Sequence, residues 1–405
     1  MTKQRITRVS CMSFLFLALL AVSSMYVTHR TATAKAAPMS GCGTWGIVNT
    51  PNPGSGHNYL NSVAAISAND VWAVGSEDNN GPTQTLTEHW NGFIWSVIPV
   101  SMPDAGMSGS FFYGVSAVST NDVWAVGSYY NNNVNNYQTL TEHWNGTNWS
   151  IVASPNPGSP DSLNGVAAIS TRDVWAVGNY TSAGSGASHT LTEHWNGSKW
   201  SVVNSPNLVN SETKGGGLNG LTAISAGNIW AVGRFFNART HVFQTLIEHW
   251  NGSKWSVVAS PNIQATDNYL TGVTAISIRD LWAVGYTFGS TSQTLIEHWN
   301  GSKWRIVSSP GPGASANFFE GVTAISSNDV WAIGEYLTSK SSSFQTLTEQ
   351  WNGSTWSVVA SPNPPGSTYD ILQGITRVPN TGQIWAVGNY TTSGNITETL
   401  AAFYC

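Results

Sequence analysis

Leu163-Asn-Gly-Val-Ala-Ala-Ile-Ser-Thr-Arg-Asp-Val-Trp-Ala-Val-Gly178, followed after a short loop by His189-Thr-Leu-Thr-Glu-His-Trp-Asn-Gly-Ser-Lys-Trp-Ser-Val-Val203, decides the fold. Leu163 to Ser170 reads as a short apolar strand, here called A. Thr171-Arg172-Asp173 is a tight turn, and Val174 to Gly178 is strand B, rich in β-formers. Asn179 to Ser188 is a loop of small and polar residues. His189 to Trp195 alternates apolar and polar residues as a half-buried strand C does. Asn196-Gly197 is the strongest short hairpin signal, and it leads into strand D at Trp200. Ser205-Pro206-Asn207 ends the unit. No stretch in it has helical periodicity.

The unit recurs. Trp72, Trp124, Trp175, Trp230, Trp282, Trp331 and Trp385 each open a Trp-Ala-Val-Gly signature, with Ile333 for Val in the sixth, at spacings of 52, 51, 55, 52, 49 and 54 residues. A period near 50 with four short antiparallel strands per repeat marks a β-propeller blade. All 20 Trp residues fit the template: seven in strand B, six ending strand C and seven beginning strand D. Blades splay from an axis, so bulky aromatics are needed to fill the wedges between them. The innermost strand needs small residues, and Gly114, Gly165, Gly220, Gly272, Gly321 and Gly374 recur at one position of strand A, with Ser62 in the first copy. The seventh copy ends at Leu400-Ala-Ala-Phe-Tyr-Cys405, a strand C without its D. Trp45-Gly-Ile-Val-Asn-Thr-Pro-Asn52 is a strand D without its C. Pairing the two closes the ring in the velcro manner and leaves no open sheet edge. The expected architecture is an all-β, seven-bladed propeller with four antiparallel strands per blade.

Residues 1–37 read as a signal peptide, and residues 38–405 as a single propeller domain. Lys3, Arg5 and Arg8 precede a short apolar run from Met12 to Val22, and Ala32-Thr33-Ala34 or Ala34-Lys35-Ala36 offers a cleavage site. The run is short for a membrane span, retention as an anchor being the alternative. The expectation is a secreted, monomeric protein with no membrane contact after cleavage. Five of the 16 basic residues and none of the 21 acidic ones lie in this segment, which leaves 11 basic residues in the mature chain. Such an acidic chain is a poor partner for nucleic acid.

The mature chain has two cysteines, Cys42 and Cys405. Aligned on the intact repeats, they occupy the Gly and Asn positions of the strand C–D turn. They are expected to form a disulfide in an oxidising compartment.

Repeated polar residues read mainly as scaffold. In Glu88-His89, Glu142-His143, Glu193-His194, Glu248-His249 and Glu297-His298 the two neighbours face opposite sides of a strand, so the pair is no acid/base dyad. The His is expected to bond the backbone of a neighbouring blade. Asp70, Asp122, Asp173, Asp280 and Asp329, with Asn228 and Gln383 in the other copies, are expected to cap turn N–H groups. No carboxylate pair is spaced for Ca²⁺, and neither a metal nor a cofactor is expected. Asn-Gly-Ser/Thr at Asn145, Asn196, Asn251, Asn300 and Asn352 is accounted for by the hairpin turn.

Residues that differ between copies carry more information about function. Asn61, Tyr113, Asn164, Asn219, Thr271, Glu320 and Gln373 immediately precede the small residue of strand A. All are polar, and in a propeller they fall at one mouth of the central channel. The variable B–C and D–A loops open on that same face, where binding usually resides. Two B–C loops are charged: Arg234-Phe-Phe-Asn-Ala-Arg239-Thr-His241, and Glu77-Asp78-Asn79-Asn80, a candidate for holding a cation.

Ile169 to Gly178 and Trp195 to Trp200 give the chain a resemblance to tectonin-like repeat propellers, with a kelch-like layout that lacks the kelch double glycine. The resemblance covers residues 42–405 and implies binding of glycan or envelope polysaccharide. The expected function is therefore a secreted, non-enzymatic recognition propeller binding glycan or another surface ligand at several sites. The alternatives are a glycan hydrolase or lyase with one site around Glu320, where a paired carboxylate would be needed, and a protein-interaction platform.

Overall fold

The computed structural model describes residues 43–405 except 80, 102–108, 183, 185, 207, 209–212 and 339–342. Cys42 and the expected signal peptide lie outside the described residues. Among those described there are 28 strands and no helix. Blade 3 is typical: Asp161–Ser170, Asp173–Thr181, Ser188–Trp195 and Trp200–Val202 pair consecutively and antiparallel.

Seven such four-stranded units follow one another. Single parallel bridges, such as Ser188↔Gly215 and Phe344↔Tyr369, join strand C of one blade to strand A of the next. The last unit is completed by Trp45–Val48 pairing antiparallel with Thr397–Tyr404, in the register Trp45↔Tyr404. That register reproduces Trp195↔Trp200 of an intact blade. The closure expected from the repeat is therefore present.

The core lies between blades rather than within them. Trp124 and Val126 of blade 2 pack with Leu163, Val174 and Trp200 of blade 3, and the other hydrophobic clusters repeat this pattern. Each strand B indole meets two rings of the next blade. Trp72, for example, lies 4.9 Å from Trp144 and 5.3 Å from Trp149. The last interface closes the circle, with Trp385 at 5.1 Å from Trp90 and 5.2 Å from Trp95. A buried aromatic removes roughly 150–250 Å² from water, so these wedges dominate the packing.

Strand A carries a β-bulge in every blade. The pairing skips one residue between Leu60 and Ser62, Phe112 and Gly114, Leu163 and Gly165, and at the corresponding points of the other four blades. A bulge leaves one residue without a ladder partner and re-aims its side chain.

Candidate functional site

The skipped residues are Asn61, Tyr113, Asn164, Asn219, Thr271, Glu320 and Gln373. They are the seven polar residues singled out in the sequence, and the structure brings all of them to one place. Together with the small residues that follow them they line a central cavity of about 210 Å³. A wider mouth of about 410 Å³ opens above it and adds Arg234 and Tyr286.

Four of the seven clasp the ring together. Asn61 Nδ2 donates to Phe112 O at 2.7 Å, Asn164 Nδ2 to Leu218 O at 2.8 Å, and Asn219 Nδ2 to Leu270 O at 2.8 Å. Thr271 Oγ1 donates to Phe319 O at 2.8 Å. Each accepting carbonyl belongs to the next blade. Tyr113 is held by a hydrogen bond with Ser128, and burial raises its phenol pKa. Gln373 Oε1 is buried without a protein partner.

Glu320 is the charged member of the ring, and a second carboxylate lies beside it. Glu335, on the following strand and only 6% exposed, has a buried Oε2 without a hydrogen bond. Burial holds both carboxyls above the usual carboxylate range, and the charge of Glu320 raises Glu335 further. Charge on one disfavours charge on the other, so the two titrate as a pair. The phenol of Tyr286 is pushed up to about 12, by burial first and then by Glu320, while Arg234 pulls it down.

Glu335 is not among the residues expected from the sequence, although the position after each signature glycine varies from blade to blade. Ser76, Ser128, Asn179, Arg234, Tyr286, Glu335 and Asn389 occupy that position. They vary as freely as the bulge residues, inside an otherwise constant motif, and that variation was the available signal.

An arc of aromatic rings flanks the mouth on blades 4 to 7. Phe236 lies 5.3 Å from Phe243, which lies 5.6 Å from Tyr269. Tyr269 stacks on Tyr286 at 5.0 Å, and Tyr286 meets Phe318 edge-on at 4.9 Å. Phe344 continues the chain to Tyr369. All seven side chains are half-buried or exposed.

The scaffold motifs resolve differently from expectation. The His side chains do not reach a neighbouring blade's backbone. His89, His143, His194 and His298 Nε2 lie 2.8–2.9 Å from Asp70, Asp122, Asp173 and Asp280 of their own blades. Strand B–C register places the His opposite the signature Trp, two residues beyond the turn acid. The turn acids accordingly bind His rather than capping turn N–H groups. Blade 4 retains the bond as His249–Asn228 at 2.9 Å, and blade 6 as Gln350–Asp329 at 2.9 Å. In the Glu77–Asp78 loop, Asp78 Oδ1 accepts from Gly81 N at 3.3 Å and Asn79 Oδ1 from Ser55 N at 2.9 Å. These contacts serve local turns rather than a shared ion. Among the described residues no three His, Cys, Asp or Glu side chains cluster as metal ligands do.

Comparison with known proteins places the fold. No family model matches the chain, and no curated protein is similar to it in sequence. Among solved structures, an ulvan lyase of a new polysaccharide lyase family superposes with a TM-score of 0.56 at 10% identity, covering 85% of this chain and 93% of the other. YCF48 bound to D1 peptide gives 0.54 at 16% identity, covering 91% and 98%. A xyloglucanase from Xanthomonas campestris gives 0.53 at 11% identity, covering 88% of this chain and 55% of its own. The chain is a β-propeller. At these identities the similarity concerns fold alone, and function has to be argued from the site.

Proposed function

We propose that the protein is a secreted recognition propeller that binds a glycan across the channel mouth. The observation that carries this reading is the run of seven aromatic rings beside a ring of polar bulge residues. Sugar rings offer apolar C–H faces to aromatics and hydroxyls to polar side chains, and carbohydrate sites combine both. The tectonin-like signature points the same way. One asymmetric face is favoured over the several equivalent sites expected from the repeat. The spaces between blades are filled by signature indoles no more than 4% exposed, whereas the unbroken run of contacting rings spans blades 4 to 7, and Phe111, Tyr113, Tyr130 and Tyr137 of blade 2 form a separate, shorter group.

A glycan array on the mature protein tests this reading, with calorimetry giving one ligand per chain. Tyr286→Ala is expected to weaken binding by about three- to tenfold, since an aromatic stack contributes roughly 0.5–1.5 kcal/mol. Two or more equivalent sites, or binding indifferent to Tyr286, would contradict it.

The Glu320–Glu335 pair favours a second reading, a glycan hydrolase or lyase working at the same mouth. Two neighbouring carboxyls, both raised by burial, can supply the acid and base that glycoside cleavage needs. Turnover of a bound glycan that disappears in both Glu320→Gln and Glu335→Gln would establish it. Binding that survives both substitutions without turnover would leave the recognition reading.

A further inference from the structure

We propose that the cavity between blades 3 and 4 is an anion subsite, seating the carboxylate or sulfate of an acidic saccharide whose chain continues over the mouth. The proposal rests on the glycan reading and names the class of glycan.

The cavity measures about 440 Å³ and is walled by Lys214, Arg234, Phe236 and Phe243 over a floor of Gly215 to Gly217. It exists because blade 4 departs from the repeat. Its strand A, Thr213–Ser225, has 13 residues where blade 3 has 10, and the three added at its start are Thr213, Lys214 and Gly215. Pairing is shifted between Thr213 and Gly216, and Gly215 takes a φ of +90°. A side chain on Gly215 would strike the Ser188 carbonyl, and a Cβ on Gly217 would lie 3.2 Å from Asn179 Cβ. The glycines keep this wall low. None of these features is required by the blade itself, since blades without them fold on the same template.

Charge is distributed accordingly. The mature chain has few basic residues, and most of the described ones sit in or beside the A–B turns and C–D hairpins of the opposite face. On the mouth face the described basic residues are Lys214, Arg234 and Arg239, all of blade 4. Arg234 lies against two neighbouring aromatic rings, 5.4 Å from the Phe243 centroid and 4.8 Å from that of Tyr269. Its guanidinium makes no ion pair with a described residue. The nearby carboxylate, Asp267, accepts from Phe243 N at 2.7 Å and from the Tyr269 hydroxyl at 3.3 Å instead. A pre-positioned guanidinium with free N–H groups is suited to a carboxylate or sulfate oxygen pair. Lys214 adds an exposed second charge, and Phe236 and Phe243 offer apolar faces to the sugar ring. Arg234 also borders the channel mouth, so a ligand held here runs on toward Tyr286.

The test is calorimetry of the mature protein with three tetrasaccharides: tetragalacturonate for carboxylate, a sulfated galactan tetramer for sulfate, and cellotetraose as the neutral probe. One acidic tetramer is expected to bind at least tenfold more tightly than cellotetraose at low salt, and which one identifies the anion. Arg234→Gln and Lys214→Gln should each remove roughly tenfold of that affinity, and Lys214→Gln should leave cellotetraose unchanged. Lys254→Gln, in a hairpin of the opposite face, should change nothing. Lys214 is exposed, so its variant reports on binding even where Arg234→Gln disturbs the aromatic stack. Equal binding of acidic and neutral tetramers, or acidic binding untouched by Lys214→Gln and Arg234→Gln, overturns the subsite while the glycan reading stands. No binding of any tetramer overturns both.

Discussion

The glycine that ends each Trp-Ala-Val-Gly run faces a carbonyl of strand A. In blade 5 a Cβ on Gly285 would collide with Tyr269 O, and in blade 3 one on Gly178 would collide with Ser162 O. The bulge at Thr271 or Asn164 brings that carbonyl inward, so the invariant glycine of the repeat and the variable polar residue at the mouth are two sides of one device. Gly285→Ala must move strand A or lose the bulge, and is expected to cost about 3 kcal/mol. Gly382→Ala, where a Cβ would have nothing within 4 Å, should stay within about 0.5 kcal/mol. Urea unfolding followed by Trp fluorescence compares the two, and equal effects would show that the close approach is unimportant. The seven site residues are legible in the sequence because they vary where their neighbours do not. Their shared cause is hidden there, because a bulge is one unpaired residue of any identity, visible only once both strands are in register.

Strand C gives six blades a carboxyl between themselves and their neighbours. Glu88, Glu142, Glu193, Glu248, Glu297 and Glu349 are 0% exposed. Some accept from the preceding blade, as Glu248 does from Ser205 Oγ at 2.7 Å and Glu297 from Ser260 Oγ at 2.8 Å. Glu193 has both oxygens buried without a partner. Burial raises the group: Glu142, Glu193 and Glu297 to about 8, Glu248 and Glu349 to about 7, and Glu88 well above 4.5. A carboxyl with a raised folded-state pKa binds more protons folded than unfolded in the window from 4.5 to about 8. Stability therefore falls as pH climbs through that window, and the full contribution is present below it. Thermal melts should show a lower midpoint at pH 8.5 than at pH 5. Glu193→Gln should raise the midpoint at pH 8.5 and change it little at pH 5. A midpoint that rises with pH, or a Glu193→Gln that destabilises at pH 8.5, would mean that these carboxyls are ionised and satisfied in the fold. The Glu-His pairs are readable in sequence as residues on opposite faces, and the structure separates them in that way. The His–Asp partnership inside each blade is less readable, because it depends on which residue of strand C the B–C loop sets opposite the signature Trp.

Closure of the ring joins Trp45–Val48 to Thr397–Tyr404, and it is legible in sequence because each segment is half of a known repeat. The staple expected at that joint is a disulfide between Cys42 and Cys405. Cys42 lies outside the described residues, but its chain neighbour is placed: Gly43 N donates to Cys405 O at 2.7 Å. The register Trp45↔Tyr404 also matches Trp200↔Trp195 of an intact blade. In intact blades the positions of Cys405 and Cys42 are consecutive residues of the C–D turn, Asn196 and Gly197 in blade 3. Consecutive Cα atoms are about 3.8 Å apart, so modest spreading at the break reaches the roughly 4.4–6.8 Å that a disulfide spans. The bond would replace the missing peptide link and convert an open chain into a closed ring. Chain entropy assigns about 5–6 kcal/mol to a loop of this length, an upper figure because residual unfolded structure and native strain reduce it. Under non-reducing conditions the mature protein should therefore present no alkylatable thiol, and Cys405→Ser should lower the unfolding midpoint markedly. Reductant should lower the wild-type midpoint by a similar amount and leave the variant unchanged. Two alkylatable thiols, or equal midpoints for variant and wild type, would mean that hydrogen bonding along Trp45–Val48 closes the ring unaided.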